Sequence, residues 1–311
     1  MSGRGRSIGP RSHAAVVAAS GADLGGITPS VAIDRWGLGE VHGRPFVVGA
    51  LLAYLAALAT AELAVVYRSP VLVFPLHGGL VVVATLHLAL RARQRRDGTA
   101  RDPALGPALL ALMLGPLIRI ISLTLPLGQI EPAYRYVAAG VPMAVGGAAA
   151  LWLSGMRPAD VGLRLTRPGL QVWVALAALP LGLVEYLILR PTSLGALPWE
   201  TAGVLPALAL GLSTGFPEEL IFRGVLQTAV RPILGAWNWV YVSVVFAVLH
   251  IGYQSPVDLV FVLLVGSLYG LVFERTRSIV GVSISHGLAN VILFFVAPNL
   301  PWLVALRIGP L

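Results

Sequence analysis

Long apolar stretches recur from residue 45 to residue 297, and short segments between them carry most of the charge. A helix needs about 20 apolar residues to cross a bilayer. The pattern predicts such helices near 45–67, 71–90, 105–127, 135–155, 170–189, 201–230, 237–252, 258–274 and 279–297. That makes about nine spans, or about eight if one segment is re-entrant. The expected fold class is all-α, a polytopic membrane helix bundle. Residues 1–44 are rich in Gly, Ser, Ala and Arg without an amphipathic period, and read as a basic, disordered cytoplasmic tail. Within them, the run at 14–20 is too short and weakly apolar for a signal peptide.

Composition agrees with the pattern. Of 311 residues, 57% are hydrophobic and only 12% charged, with mean hydropathy +0.82; soluble domains carry about 25% charged residues. The net charge is +8 and every cationic residue other than histidine is Arg. In a membrane protein such an excess reads as a topology signal, not as nucleic-acid binding. No cysteine is present, which excludes disulfides, a thiolate nucleophile and a Cys metal site.

The basic residues alternate from loop to loop. Arg91, Arg93, Arg95, Arg96 and Arg101 lie in 91–103, Arg157, Arg164 and Arg167 in 156–168, and Arg275 and Arg277 in 274–278. The intervening loops hold Arg68, then Glu131 with Arg135, then Arg190 with Glu200, and no charge over 252–256. The positive-inside rule therefore places the N-terminus and the Arg-rich loops in the cytoplasm and the C-terminus outside. Arg used in place of Lys, with abundant Ala, Gly and Pro, points to a bacterial inner membrane.

Charge within the spans is the exception that calls for chemistry, because it is costly there without a partner or a task. Glu62, His77, His87, Arg119 and Glu185 read as structural pairs, interfacial groups or water-facing sites. Phe216-Pro217-Glu218-Glu219-Leu220-Ile221-Phe222-Arg223-Gly224 is different, with two carboxylates and an arginine close together. Glu219 and Arg223, at i and i+4, share a helical face in the favourable order. Glu218 points about 100° away from Glu219 and is left free to react. Pro217 has no backbone N–H, so it kinks or starts the helix there.

Two further pairs follow at the same spacing, Phe246 with His250 and His286 with Asn290. Trp237, Trp239 and Tyr241 read as an interfacial belt, which sets His250 about nine residues, roughly 14 Å, into its span. His286 lies about eight residues, roughly 12 Å, in from its loop. Phe246 reads as packing, a wall of the site. A Glu, two His and an Asn at shared depth suit hydrolysis. The carboxylate takes a proton from water with help from a His, and the second His and the amide stabilise an oxyanion. The same Glu218, His250 and His286 could instead hold a divalent metal such as zinc, and the two readings stay open.

Together, Glu218-Glu219-x-x-x-Arg223, Phe246-x-x-x-His250 and His286-x-x-x-Asn290 resemble the motif series of the CPBP family, the CAAX prenyl proteases and Abi-type bacteriocin-processing membrane proteins. The resemblance covers about 201–297, and Asp160-Val-Gly-Leu-Arg164 resembles a weaker lead-in. It divides the chain into the tail 1–44, N-terminal spans over 45–168 that match nothing specific, and a catalytic membrane core over 169–311. It implies an intramembrane endopeptidase whose cavity opens to the cytosol, acting on a membrane-embedded or lipidated peptide or protein. Glu218 would be the base, His250 would orient the water, His286 and Asn290 would stabilise the oxyanion, and Glu219 and Arg223 would support the geometry. The competing classes are a non-enzymatic bacteriocin-immunity or membrane scaffold protein and, less favoured for want of repeated halves, a transporter.

Overall fold

The computed structural model of the protein describes residues 45–67, 69–98 and 104–306. The tail read over 1–44, Arg68 and Arg101 lie outside them. Among the described residues every regular element is helical. In chain order these are α1 (Pro45–Val66), α2 (Pro70–Arg96), α3 (Leu105–Leu112), α4 (Leu114–Thr124), α5 (Arg135–Leu153), α6 (Pro168–Leu176) and α7 (Ala178–Leu189). There follow α8 (Thr201–Glu219), α9 (Thr228–Leu234), α10 (Asn238–Val248), α11 (Pro256–Thr276), α12 (Val280–Val291) and α13 (Pro301–Ala305).

Eight helical runs among these residues are long and apolar enough to cross a membrane. One of them, Thr201–Tyr253, has 53 residues. As a single straight helix it would be about 80 Å long, far beyond a hydrocarbon layer of about 30 Å. It folds back at Gly235, whose φ of 56° is the left-handed turn that ends α9. Phe222 and Phe246, about equally far from this turn, meet edge to face with centroids 5.0 Å apart. The segments expected at 201–230 and 237–252 are thus two arms of one helical hairpin.

Of the two outcomes expected at Pro217, a kink or a helix start, the start is ruled out. The helix neither starts nor stops there, because Pro217 lies inside α8. The irregularity comes just after it, as a π-helical stretch over Leu220–Gln227, every residue of which is buried. Pro217 gives no N–H to Ser213 O, and Gly140 of α5 brings its backbone against that carbonyl. Tyr241 is also unlike the expected belt residue. It is buried and donates to Leu51 O at 3.0 Å.

Small residues set the helix spacing around the site, as lipid-embedded packing favours. Gly215 of α8 lies against Ser283 and Gly287 of α12, and Gly287 in turn meets the backbone of Gly211. The largest buried apolar cluster joins early and late helices, from Val47 and Leu58 through Leu105 and Val225 to Phe273 and Val282. At one end of the bundle, the 156–168 segment is clipped to the α11–α12 turn. Ile279 N donates to Gly162 O at 3.0 Å and Thr166 Oγ1 to Thr276 O at 2.6 Å. Asp160 accepts from the Arg157 guanidinium and backbone, which holds its carboxyl below the usual range. The segment that resembled a motif lead-in is therefore a structural clip.

Gly215→Ala would drive a methyl into the α12 backbone. It is expected to cost about 1–3 kcal/mol, read as a lower unfolding temperature of the purified protein in detergent. Gly49→Ala faces open space and should not lower it.

Candidate active site

The buried centre of the site is Glu219. Its Oε1 accepts from Arg223 Nη1 at 2.9 Å, the i,i+4 pair expected from spacing, and lies 2.9 Å from His286 Nδ1. Both Glu219 and Arg223 are fully buried. Arg223 Nη2 reaches Gly266 O of α11 at 3.2 Å, and its guanidinium lies over the Phe246 ring at 4.6 Å and the Tyr269 ring at 5.7 Å. Phe246, read as packing, is thus a wall of the site and a cation–π partner.

Glu218 is free of that network. Its Oε2 lies 3.7 Å from His286 Nε2, too long for a hydrogen bond, and its side chain stays 21% exposed, facing a cavity of about 90 Å³. His250, His286 and Asn290 line the same cavity. The structure therefore brings together all four residues singled out as reactive. A second cavity, of about 480 Å³, also reaches Glu218, Phe246 and His250.

Hydrogen bonds constrain each ring and amide. His250 is not nine residues deep in a helix. It follows the end of α10 in a 3-10 turn, and its Nδ1 lies 2.8 Å from Phe246 O. A carbonyl only accepts, so Nδ1 carries the proton and Nε2 keeps its lone pair. Asn290 Nδ2 donates to Thr214 Oγ1 at 2.9 Å, which leaves its second amide hydrogen for another acceptor. Thr214 in turn donates to Leu210 O at 2.9 Å.

Some lining residues were not anticipated. Glu185, read from sequence as a non-catalytic exception, lines the smaller cavity, as do Tyr136, Tyr253, Asp258 and Tyr269. Tyr269 OH is fixed by Ser285 Oγ at 2.9 Å. Thr214 had a usable signal, lying four residues before Glu218 on the same helical face. Asp258 was masked by its place in the first turn of α11, where Ser255 Oγ accepts from its backbone N–H as a cap.

Three of the other intramembrane exceptions, Glu62, His77 and Arg119, come together. Arg119 Nε donates to Glu62 Oε1 at 2.9 Å and Nη2 meets Glu62 Oε2 at 2.8 Å, with His77 Nε2 3.8 Å from Glu62 Oε1. The same Arg119 Nη2 donates to Leu249 O at 2.6 Å, next to His250. Among the described residues no three His, Cys, Asp or Glu side chains are arranged to hold a metal ion. Glu218, His250 and His286 line one cavity, with Nδ1 of each ring held by the protein.

Residues 199–292 match the family model described as Type II CAAX prenyl endopeptidase Rce1-like. This is the family that the motifs resemble, and it is a family of membrane proteases. The matched segment holds Glu218, Glu219, Arg223, Phe246, His250, His286 and Asn290. No curated protein and no solved structure matches the chain.

Arg223→Met removes one partner of a fully buried pair. Breaking such a pair is expected to destabilise by about 3–5 kcal/mol. The double variant Glu219→Gln/Arg223→Met, which removes both charges, should recover part of that loss. Unfolding of the three proteins side by side in detergent checks the order.

Proposed function

We propose that the protein is an intramembrane endopeptidase that hydrolyses a peptide bond of a membrane-associated or lipid-modified peptide or protein. The observation that carries this reading is the meeting of Glu218, His250, His286 and Asn290 on one cavity while Glu219, not Glu218, pairs with the buried arginine. A free carboxylate beside two imidazoles inside a helix bundle is costly to keep without a task.

The chemistry follows from the donors and acceptors. Glu218 takes a proton from a water molecule whose other hydrogen is accepted by His250 Nε2. The oxygen bonds to the peptide carbonyl carbon, and the carbonyl electron pair moves to oxygen. The free amide hydrogen of Asn290 and the Nε2–H of a protonated His286 donate to that oxyanion. His286 can do so while Nδ1–H stays on Glu219, which fixes the ring's orientation. The C–N bond then breaks as Glu218 returns its proton to the leaving nitrogen, giving a carboxylic acid and an amine. This reading routes no step through a metal. Localisation in a cell membrane with several passes agrees with the eight long apolar runs.

A specific observation also bears on the non-enzymatic reading, an immunity or scaffold protein binding a membrane partner. The larger cavity is roomy enough for a partner side chain without any bond being cut. Glu218→Gln separates the two. It keeps the shape and removes the base, so cleavage of a membrane-anchored peptide library should fall by about 10²–10⁴-fold with normal expression and melting. A cellular phenotype that persists unchanged in Glu218→Gln would support the binder instead. Cleavage by the wild type is expected to survive chelation. Loss on chelation with recovery on adding zinc would replace this mechanism with a metal-dependent one.

A further inference from the structure

We propose that Asp258 and Glu185 form a subsite for the cationic head of a basic side chain, Arg or Lys, in the peptide bound at Glu218. That this peptide is a substrate rests on the protease reading. The cation site rests on the cavity itself.

Other acids in the bundle are matched by arginines. Glu62 pairs with Arg119, Glu219 with Arg223 and Glu274 with Arg231. Among the described residues, Asp258 and Glu185 have no such partner. Asp258 is only 1% exposed, yet its Oδ1 accepts no hydrogen bond. The cap at the start of α11 uses the Asp258 backbone N–H, which donates to Ser255 Oγ at 3.1 Å, and leaves the carboxylate to the smaller cavity. Glu185 enters the same cavity from α7, within electrostatic reach of Asp258, His286 and Glu218. Two unpaired carboxylates on one small cavity within a membrane are costly to keep unless a counter-charge arrives.

The rest of the lining fits a cation. It includes no arginine, and Tyr136, Tyr253 and Tyr269 contribute aromatic rings, which attract ammonium and guanidinium groups. The Tyr269 hydroxyl is already taken by Ser285 Oγ, so its ring is what remains for a ligand. Leu181 and Leu189 offer an apolar path for the methylene stem behind such a head. One buried water needs at least about 10–15 Å³, so a cavity of about 90 Å³ admits a side-chain head and not a length of chain. Because Glu218 borders the same cavity, a cation held by Asp258 and Glu185 sets which peptide bond lies beside the base.

Two readouts test the site separately. The first needs no cleavage: the melting temperature of the full chain in a nonionic detergent, with n-octylguanidinium or its neutral isostere n-octylurea. The guanidinium should raise it in the wild type, the urea should not, and Asp258→Asn/Glu185→Gln should lose the shift. Without ligand, Asp258→Asn should melt no lower than the wild type, because it removes an unpartnered buried acid. A lower value would assign the acid to the stability of α11 and overturn the proposal. So would an equal response to both compounds, a shift that survives in the double variant, or a shift produced by calcium or zinc chloride in place of the guanidinium. The second readout is cleavage of membrane-anchored, amino-terminally acetylated peptides carrying Arg or neutral citrulline at each position in turn. At one position Arg should raise kcat/KM over citrulline by about 10–100-fold, the worth of one charge-assisted hydrogen bond. The double variant should cleave both peptides at similar rates, a change of preference that a merely structural role would not produce. Cleavage without preference at any position would overturn the proposal. If the wild type cleaves none of them, the protease reading fails, and the melting comparison decides the cation site by itself.

Discussion

One carboxylate oxygen, Oε1 of Glu219, holds the site together. It accepts Arg223 and lies within hydrogen-bond distance of His286, so it joins the arm of α8 to α12. Arg223 extends the link to α11 through Gly266 O and fills the space between the Phe246 and Tyr269 rings. A guanidinium at this depth would be untenable without such a partner, because the bilayer offers it no water. The neighbouring Glu218 owes its freedom to this arrangement. If Glu218 paired with Arg223, no carboxylate of the Glu218–Glu219 pair would be left to face the cavity.

That link requires close helices, and the backbone supplies the closeness. Gly211 and Gly215 on α8 meet Gly287 and Ser283 on α12 backbone to backbone. His286 and Asn290 flank Gly287 on the same helix, so the contact that brings α12 near also carries both side chains into the cavity. Pro217 removes one helical hydrogen bond, and the π stretch over 220–227 follows at once. Such π segments occur at functional sites because they alter helix register without breaking the helix. Here the altered register lies wholly in buried surroundings, where packing on all sides holds it.

The parts legible in the sequence were those governed by short-range periodicity. Apolar length announced the spans, and the i,i+4 spacing announced the Glu219–Arg223 and Phe246–His250 pairs, because a helix converts that spacing directly into proximity. The motif residues were found together for the same reason. What escaped depends on chain segments far apart in sequence. Nothing local distinguishes Tyr241, which bonds Leu51 O, from a residue at the membrane interface. Asp258 drew no reading from the sequence, and Glu185 read only as a paired, interfacial or water-facing exception, until the cavity joined them. The π stretch left no mark either, since a shift of hydrogen-bond register has no residue signature of its own. The local backbone at His250 was not legible because counting residues assumes a helix that runs on, whereas α10 stops just before it.

The spans outside the family match are not inert packing. Arg119 of α4 binds Glu62 of α1 and the Leu249 carbonyl together, so the turn that carries His250 is fastened to the early helices by a buried ion pair. In lipid no hydrophobic gain drives helices together, and polar links and close packing must do it. α4, α5 and the segment joining them also supply Ser122, Leu127, Pro132 and Arg135 around the larger cavity. The residues assigned to bond breaking thus lie on the matched helices, while much of the wall around that cavity is built by unmatched ones. Bond-breaking groups tolerate little displacement, whereas a cavity wall need only fit what it admits. Sequence change can therefore accumulate in α1–α5 without moving Glu218, provided that the Glu62–Arg119–Leu249 link is kept.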